Sequence, residues 1–317
     1  MSNAIAARLS AIRNEMGKSN LDPFIIPRAD EYLGEYVPAH NERMLWASGF
    51  TGSAGMIIVL KESAAIFVDG RYTVQVRQQV DAELFEYLSL HDTPQAQWLT
   101  EKLSANANVG FDARLHTLSW FNNTADTLNK AQIALVAVKD NPIDVNWSDR
   151  PQASTETVML FSEQSAGRSS IDKRQSIGAA VKAAGADVAI IAALDSCCWL
   201  LNIRGKDVPR LPVVLGTALL HANGDMVLFT DTKKLPAGIE QHVGTGVSFK
   251  TEAELEAELA KLTGAKVLAS PDSTNAWLQI TAQNAGAELI AGADPVALPK
   301  AQKNDAELNG MKACHIR

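Results

Sequence analysis

The residues of this chain that are equipped for chemistry are few and scattered. Six histidines (His40, His91, His116, His221, His242 and His315) never fall at a metal-ligand spacing, and no HxH, HExxH or CxxC occurs. Cys197, Cys198 and Cys314 are too few for a disulfide framework and read as reduced thiols. Gly52-Ser53-Ala54-Gly55 matches neither a nucleophile elbow nor a Ser-x-x-Lys arrangement. Gly49, Gly52 and Gly55 precede an apolar run, whereas a phosphate cradle follows a strand and opens a helix. Tight turns and close packing account for them. The best single candidate is Arg71, in the segment LWASGFTGSAGMIIVLKESAAIFVDGRY that spans Leu45 to Tyr72. A cation held at the end of a strand, just past an Asp69-Gly70 turn, is a device for holding an anionic group.

The elements that must position Arg71 are legible around it. Met56–Leu60 and Ala64–Val68 are short apolar runs that predict two buried strands, joined through Lys61-Glu62-Ser63 as a hairpin. Upstream, Ile5, Leu9, Ile12 and Met16 recur at helical spacing, and Pro23–Pro27 reads as a strand. Downstream, Thr73 to Val80 continues as a helix or extended arm. Strands are predicted at 85–90, 109–111 and 133–138, with a helix over 118–128. NPIDVNWSDRPQAS, rich in Pro, Asn and Asp, reads as a linker.

After that break the pattern restarts. A helix from Ile171 to Ala184, a strand at Val188–Ala192 and a Trp199 segment follow. Strands at 213–220 and 226–230 are joined across Asn223-Gly224, a hairpin signal. Trp46 corresponds to Trp199, and FVDGR to LFTDT. The chain reads as two copies of one α/β domain, each a mixed sheet flanked by helices. A last helix is expected after Asn304 or Asp305 as N-cap, with Leu308, Met311 and either Cys314 or His315 on one face.

Bulk properties bound the function. A length of 317 residues fits about two domains, and 46% hydrophobic with 21% charged residues is a globular balance. The net charge of −7, without basic runs, speaks against nucleic acid or an anionic membrane as partner. No signal peptide or membrane span is recognisable in the sequence.

Several segments together resemble a known family. ERMLWASGFTGSAG followed by AIFVDGRYTVQ is similar to the N-terminal domain of Xaa-Pro aminopeptidases, of the creatinase/prolidase metallopeptidase family. NPIDVNWSDRPQ resembles the family linker, and DSCCWLLNIRGKDVPRLPV a conserved stretch of its second domain. KNDAELNGMKACHIR resembles the first helix of the catalytic domain. Two departures are visible: Arg114 stands where the family often has Trp, and Cys197-Cys198 replace small or aliphatic residues.

The resemblance implies tandem creatinase-like domains over residues 1–147 and 158–297. Residues 298–317 would then open a C-terminal catalytic domain. It implies a cytoplasmic enzyme that removes an N-terminal residue preceding proline. Two divalent ions, usually manganese, would be held by Asp, Asp, His, Glu and Glu of that catalytic domain. On this reading no catalytic or metal-binding residue lies in the present chain, which is expected to be inactive alone. Its domains would wall the cleft, and Arg71 would contact the peptide, with Asp69 orienting the turn or the guanidinium and Tyr72 packing. For Trp199, Asn202 and Arg204 the choice is between a domain interface and a structural role, and the structural role is preferred. The alternative is a stand-alone peptide-binding module of the same fold.

Overall fold

The structure, a computed structural model, describes residues 2–316. The chain divides into two compact units, one comprising residues 1–31 and 35–152, the other residues 153–317 with Tyr32–Gly34.

In the first unit, helix α1 (Ser2–Lys18) leads into strand β1 (Pro23–Pro27). Helix α2 (Arg43–Ser48) precedes the hairpin β2 (Gly55–Leu60) and β3 (Ala64–Val68). Then come α3 (Thr73–Gln79), β4 (Glu86–Ser89), α4 (Gln95–Lys102), β5 (Asn108–Phe111), α5 (Leu118–Lys130), β6 (Ala134–Ala137) and α6 (Pro142–Asn146). The six strands form one sheet in the order β4-β3-β2-β1-β5-β6. The three central strands pair antiparallel, and β4, β5 and β6 join in parallel. Parallel additions require crossovers, which the intervening helices supply. Ile5, Leu9, Ile12 and Met16 of α1 are all buried, as their spacing demands, and pack with Phe24, Ile26, Ile57 and Ile66.

The second unit opens with a two-strand ladder, β7 (Met159–Leu160) against β9 (Ile203–Arg204). Between these lie α7 (Glu163–Ala166), α8 (Ser170–Ala183), β8 (Val188–Ile191) and α9 (Leu194–Leu201). The hairpin β10 (Thr217–His221) and β11 (Met226–Phe229) follows, then α10 (Ile239–Val243), β12 (Val247–Lys250), α11 (Leu255–Leu259), β13 (Lys266–Ala269), α12 (Ala276–Asn284) and β14 (Glu288–Ala291). Its sheet order is β12-β11-β10-β8-β13-β14. Strand for strand this repeats the first unit, with the same pattern of parallel and antiparallel neighbours. Along β8, Val188 and Ile190 enter one apolar cluster, while Ala189 and Ile191 enter another. A strand covered on both faces reads as a continuous apolar run, which is what the sequence shows.

Two segments differ from the sequence expectation. The stretch expected to be a linker begins with α6, whose Ile143 is buried, and with Trp147, whose ring lies tilted against Trp46 with centroids 5.9 Å apart. Asn141 caps that helix and Pro142 occupies its first turn, where a missing N–H costs nothing. The extended run at Val213–Gly216 is not part of the hairpin strand. Its backbone is engaged elsewhere: Asp207 N–H donates to Val213 O, and Leu215 N–H donates to Asp207 Oδ2.

The chain continues through α13 (Ala297–Ala301) to α14 (Asp305–Ile316). Asn304 is the N-cap. Its Oδ1 accepts Glu307 N–H and its own N–H donates to Glu307 Oε2, a reciprocal capping box. Leu308 and Met311 on this helix stay exposed.

Candidate functional site

Strand β3 ends at Val68, and the chain turns at once into a single 3-10 turn over Gly70–Tyr72. Asp69 caps that turn by accepting Arg71 N–H on Oδ1 at 2.9 Å. The same oxygen accepts the Arg71 side-chain Nε at 2.7 Å. One carboxylate thus holds both the backbone and the guanidinium of the residue two positions on. The adjacent cation holds the Asp69 carboxyl below the usual carboxylate range. Arg71 Nη1 and Nη2 donate to no group among the described residues, and its side chain is 67% exposed.

The turn is pinned to the glycine-rich loop. Tyr72 lays its ring edge-to-face against Phe50 at 5.7 Å and shares a 2.6 Å hydrogen bond between its hydroxyl and that of Ser53. The Arg71 guanidinium carbon lies 5.4 Å from the centre of the Tyr72 ring. Alongside, Thr51 N–H donates to Gln79 Oε1, and Gln75 Nε2 donates to Thr51 Oγ1. Each glycine of the loop has its own reason. Gly49 ends α2 in the left-handed region at φ 79°. A Cβ on Gly52 would fall 2.2 Å from Phe50 Cζ, and one on Gly55 would fall 3.0 Å from Phe67 O. The spacing serves turns and packing, not phosphate.

The repeat supplies an internal comparison. At the equivalent place after β11, Asp231 Oδ1 accepts Lys233 N–H at 3.0 Å and caps the turn Thr232–Lys234. The Lys233 ammonium makes no ion pair among the described residues. The turn therefore needs only the backbone bond; the side-chain clamp on Arg71 is additional.

The second motif, WLLNIRGKDVP, builds architecture. Asn202 ends α9 at φ 51°, its Oδ1 accepts Lys173 Nζ at 2.7 Å and its Nδ2 donates to Arg168 O. Lys173 is buried and lies 4.3 Å from the centre of the Trp199 ring; burial pushes its ammonium down to about 8. Arg204 stacks on Phe161. A Cβ on Gly205 would fall 2.5 Å from Val213 O. Asp207 bonds Lys234 Nζ at 2.5 Å. Neither buried lysine announced itself in the sequence, where a cation reads as surface.

The remaining chemistry-bearing groups are dispersed. His116 is buried, stacked on Trp120 with centroids 3.7 Å apart, and desolvation pushes it down to about 3. His242 bonds Asn202 O and His40 bonds Pro151 O. Cys197 and Cys198 are free thiols inside α9; burial raises both, Cys198 to about 11. They are inert packing residues. A charged cluster that sequence reading missed surrounds Arg43. Its Nε and Nη2 grip both oxygens of Asp144 at 2.7 and 2.8 Å, and Nη2 reaches Glu31 at 2.6 Å. Those carboxylates are committed to the cluster: Asp144 also pairs with Arg150, and Glu31 also accepts Asn41 Nδ2.

A fold of two repeated six-stranded units, with an Asp-capped arginine turn in the first, defines a class. The chain belongs to the creatinase/prolidase N-terminal domain family: two profiles carrying that description match residues 8–140 and 149–307. Among its relatives, "Probable Xaa-Pro aminopeptidase P" of Paracoccidioides brasiliensis is 32% identical over 98% of this chain and 53% of its own. The protein of the same name from Aspergillus clavatus is 32% identical over 98% of this chain and 49% of its own. The X-prolyl aminopeptidase of Caenorhabditis elegans, described as a cytosolic enzyme with a di-nuclear active site, superposes with a TM-score of 0.90. That match has 25% identity and covers 99% of this chain and 54% of the worm chain. The chain spans about half the length of the curated relatives it matches.

A di-nuclear centre needs several convergent carboxylates or imidazoles. Among the described residues no group of three or more His, Cys, Asp or Glu is placed to hold a metal ion. The residues present do not fit such a centre, and no metal-dependent step is assigned to them.

Proposed function

We propose that this chain is the non-catalytic N-terminal region of a metal-dependent Xaa-Pro aminopeptidase, which removes an N-terminal residue when proline follows. The observation that carries the reading is the 0.90 TM-score over 99% of the chain against half of an X-prolyl aminopeptidase. Catalysis belongs to a C-terminal region with two divalent ions, manganese being the expected metal. The two units described here wall its cleft, and Arg71 contacts the bound peptide. A cytoplasmic setting follows the description of the worm enzyme as cytosolic. No helix among the described residues is long and apolar enough to cross a membrane.

The geometry supports a binding role. Arg71 is exposed, rooted on Asp69 through Nε and without hydrogen bonds at its distal nitrogens, and among the described residues no metal cage accompanies it. The test has two arms. The purified 317-residue chain, supplied with manganese, is expected to leave Xaa-Pro peptides intact, and robust turnover by it would overturn the reading. Reading the gene beyond the codon for Arg317 is expected to reveal Asp, Asp, His, Glu and Glu ligands. An immediate stop codon would favour a stand-alone peptide-binding module instead.

A further inference from the structure

We infer that Arg71 reads a carboxylate of the bound peptide, so that the site favours short substrates whose free C-terminus reaches it. The inference rests on the reading of Arg71 as a peptide contact and adds which chemical group it takes.

Three observations carry it. First, the guanidinium is biased towards one orientation by its neighbours, although the ion pair is exposed. Its Nε donates to Asp69 Oδ1 at 2.7 Å, and that oxygen is itself fixed by Arg71 N–H. Beneath it lies the Tyr72 ring, in turn locked by Ser53 and Phe50. Second, the clamp is not a requirement of the turn, because the equivalent Asp231 turn forms with the backbone bond alone. Third, with Nε occupied, the end-on pair Nη1 and Nη2 is what remains; neither donates a hydrogen bond among the described residues, and the Glu35 carboxylate, whose charge reaches the guanidinium, does not bond it. Two parallel N–H donors in a plane match the two oxygens of a carboxylate, whereas a carbonyl takes only one. Orienting the fork beforehand removes the entropy that a free arginine would lose on binding.

A peptide supplies carboxylates from two sources, its C-terminus and any Asp or Glu side chain. The experiment uses the full enzyme, this chain together with its catalytic region. Steady-state cleavage is compared for Ala-Pro-Ala as free acid, Ala-Pro-Ala amide and Ala-Pro-Glu amide. The expected result is a kcat/KM about tenfold higher for the free acid than for Ala-Pro-Ala amide, carried by KM. Arg71→Gln should erase that preference, and Arg71→Lys, which keeps charge without the fork, should restore only part of it. If Ala-Pro-Glu amide matches the free acid, the carboxylate is read from a side chain as well; if it behaves as the plain amide, the C-terminus is read. Both outcomes support the inference. An Arg71→Gln enzyme that retains the wild-type preference overturns it. So does one that loses activity equally on acid and amide, which would leave the peptide-contact reading standing. Wild-type kinetics on every substrate would overturn both. Because Arg71 is exposed, unchanged thermal melting of each variant separates these results from misfolding.

Discussion

Asp207 Oδ2 and Lys234 Nζ lie 2.5 Å apart with side chains only 1% and 4% exposed. The same oxygen accepts Leu215 N–H at 2.8 Å, so the pair fastens the loop after the WLLNIRG motif to the turn after β11. Burying two charges is costly, and removing one leaves the other stranded. Lys234→Met is expected to destabilise the protein by about 3–5 kcal/mol, measured by urea unfolding. The double variant Asp207→Asn, Lys234→Met should recover part of the loss.

Arg43 plays a comparable role in the first unit, with a side chain 2% exposed between Asp144 and Glu31. The bidentate grip on Asp144 ties α6 to α2 across about a hundred residues of sequence. Arg43→Ala is expected to cost about 1.5–3 kcal/mol, because Asp144 keeps Arg150 and neither carboxylate is fully buried. Arg43→Lys should be only partly tolerated, because an ammonium cannot span both carboxylate oxygens. Differential scanning calorimetry would show the loss as a lowered transition temperature.

His116 makes the stability of the first unit acid-sensitive. Burial holds its folded-state value near 3, below the ordinary 6.5, so folding favours the neutral ring. Its contribution is complete above the ordinary value and is lost as the pH falls from about 6.5 towards 3, with a slope approaching 1.4 kcal/mol per pH unit. His116→Phe keeps an aromatic ring against Trp120 and should flatten that part of the profile. An unchanged slope in chemical denaturation between pH 6 and 4 would contradict the assignment.

Gly178 in α8 faces the β10–β11 hairpin. A Cβ there would lie 2.8 Å from Gly224 N and 3.0 Å from both Ala222 O and His221 O. All three are backbone atoms, which cannot swing aside. Gly178→Ala is therefore expected to destabilise by about 1–3 kcal/mol despite its better helix propensity, again measured by denaturant unfolding.

What the sequence by itself determined was the periodic part of the fold and the class of the protein. The strand Ala64–Val68 and the buried face of α1 carry local patterns, and local patterns follow from helical and strand geometry alone. The doubled order of elements likewise survives in the one-dimensional string, as does the Asp69-Gly70-Arg71 turn. Tertiary structure decided the rest. The helical reading of Pro142–Asn146 depends on burying Ile143 and on Arg43 finding Asp144, partners far away in sequence. Lys173, Lys234 and His116 look like surface residues until packing removes their water. The clamp on Arg71 is two residues long, yet its value as a fixed fork depends on Tyr72, Ser53 and Phe50 converging beneath it. Contacts between residues distant in the chain have no periodic signature, so only the folded structure could place them.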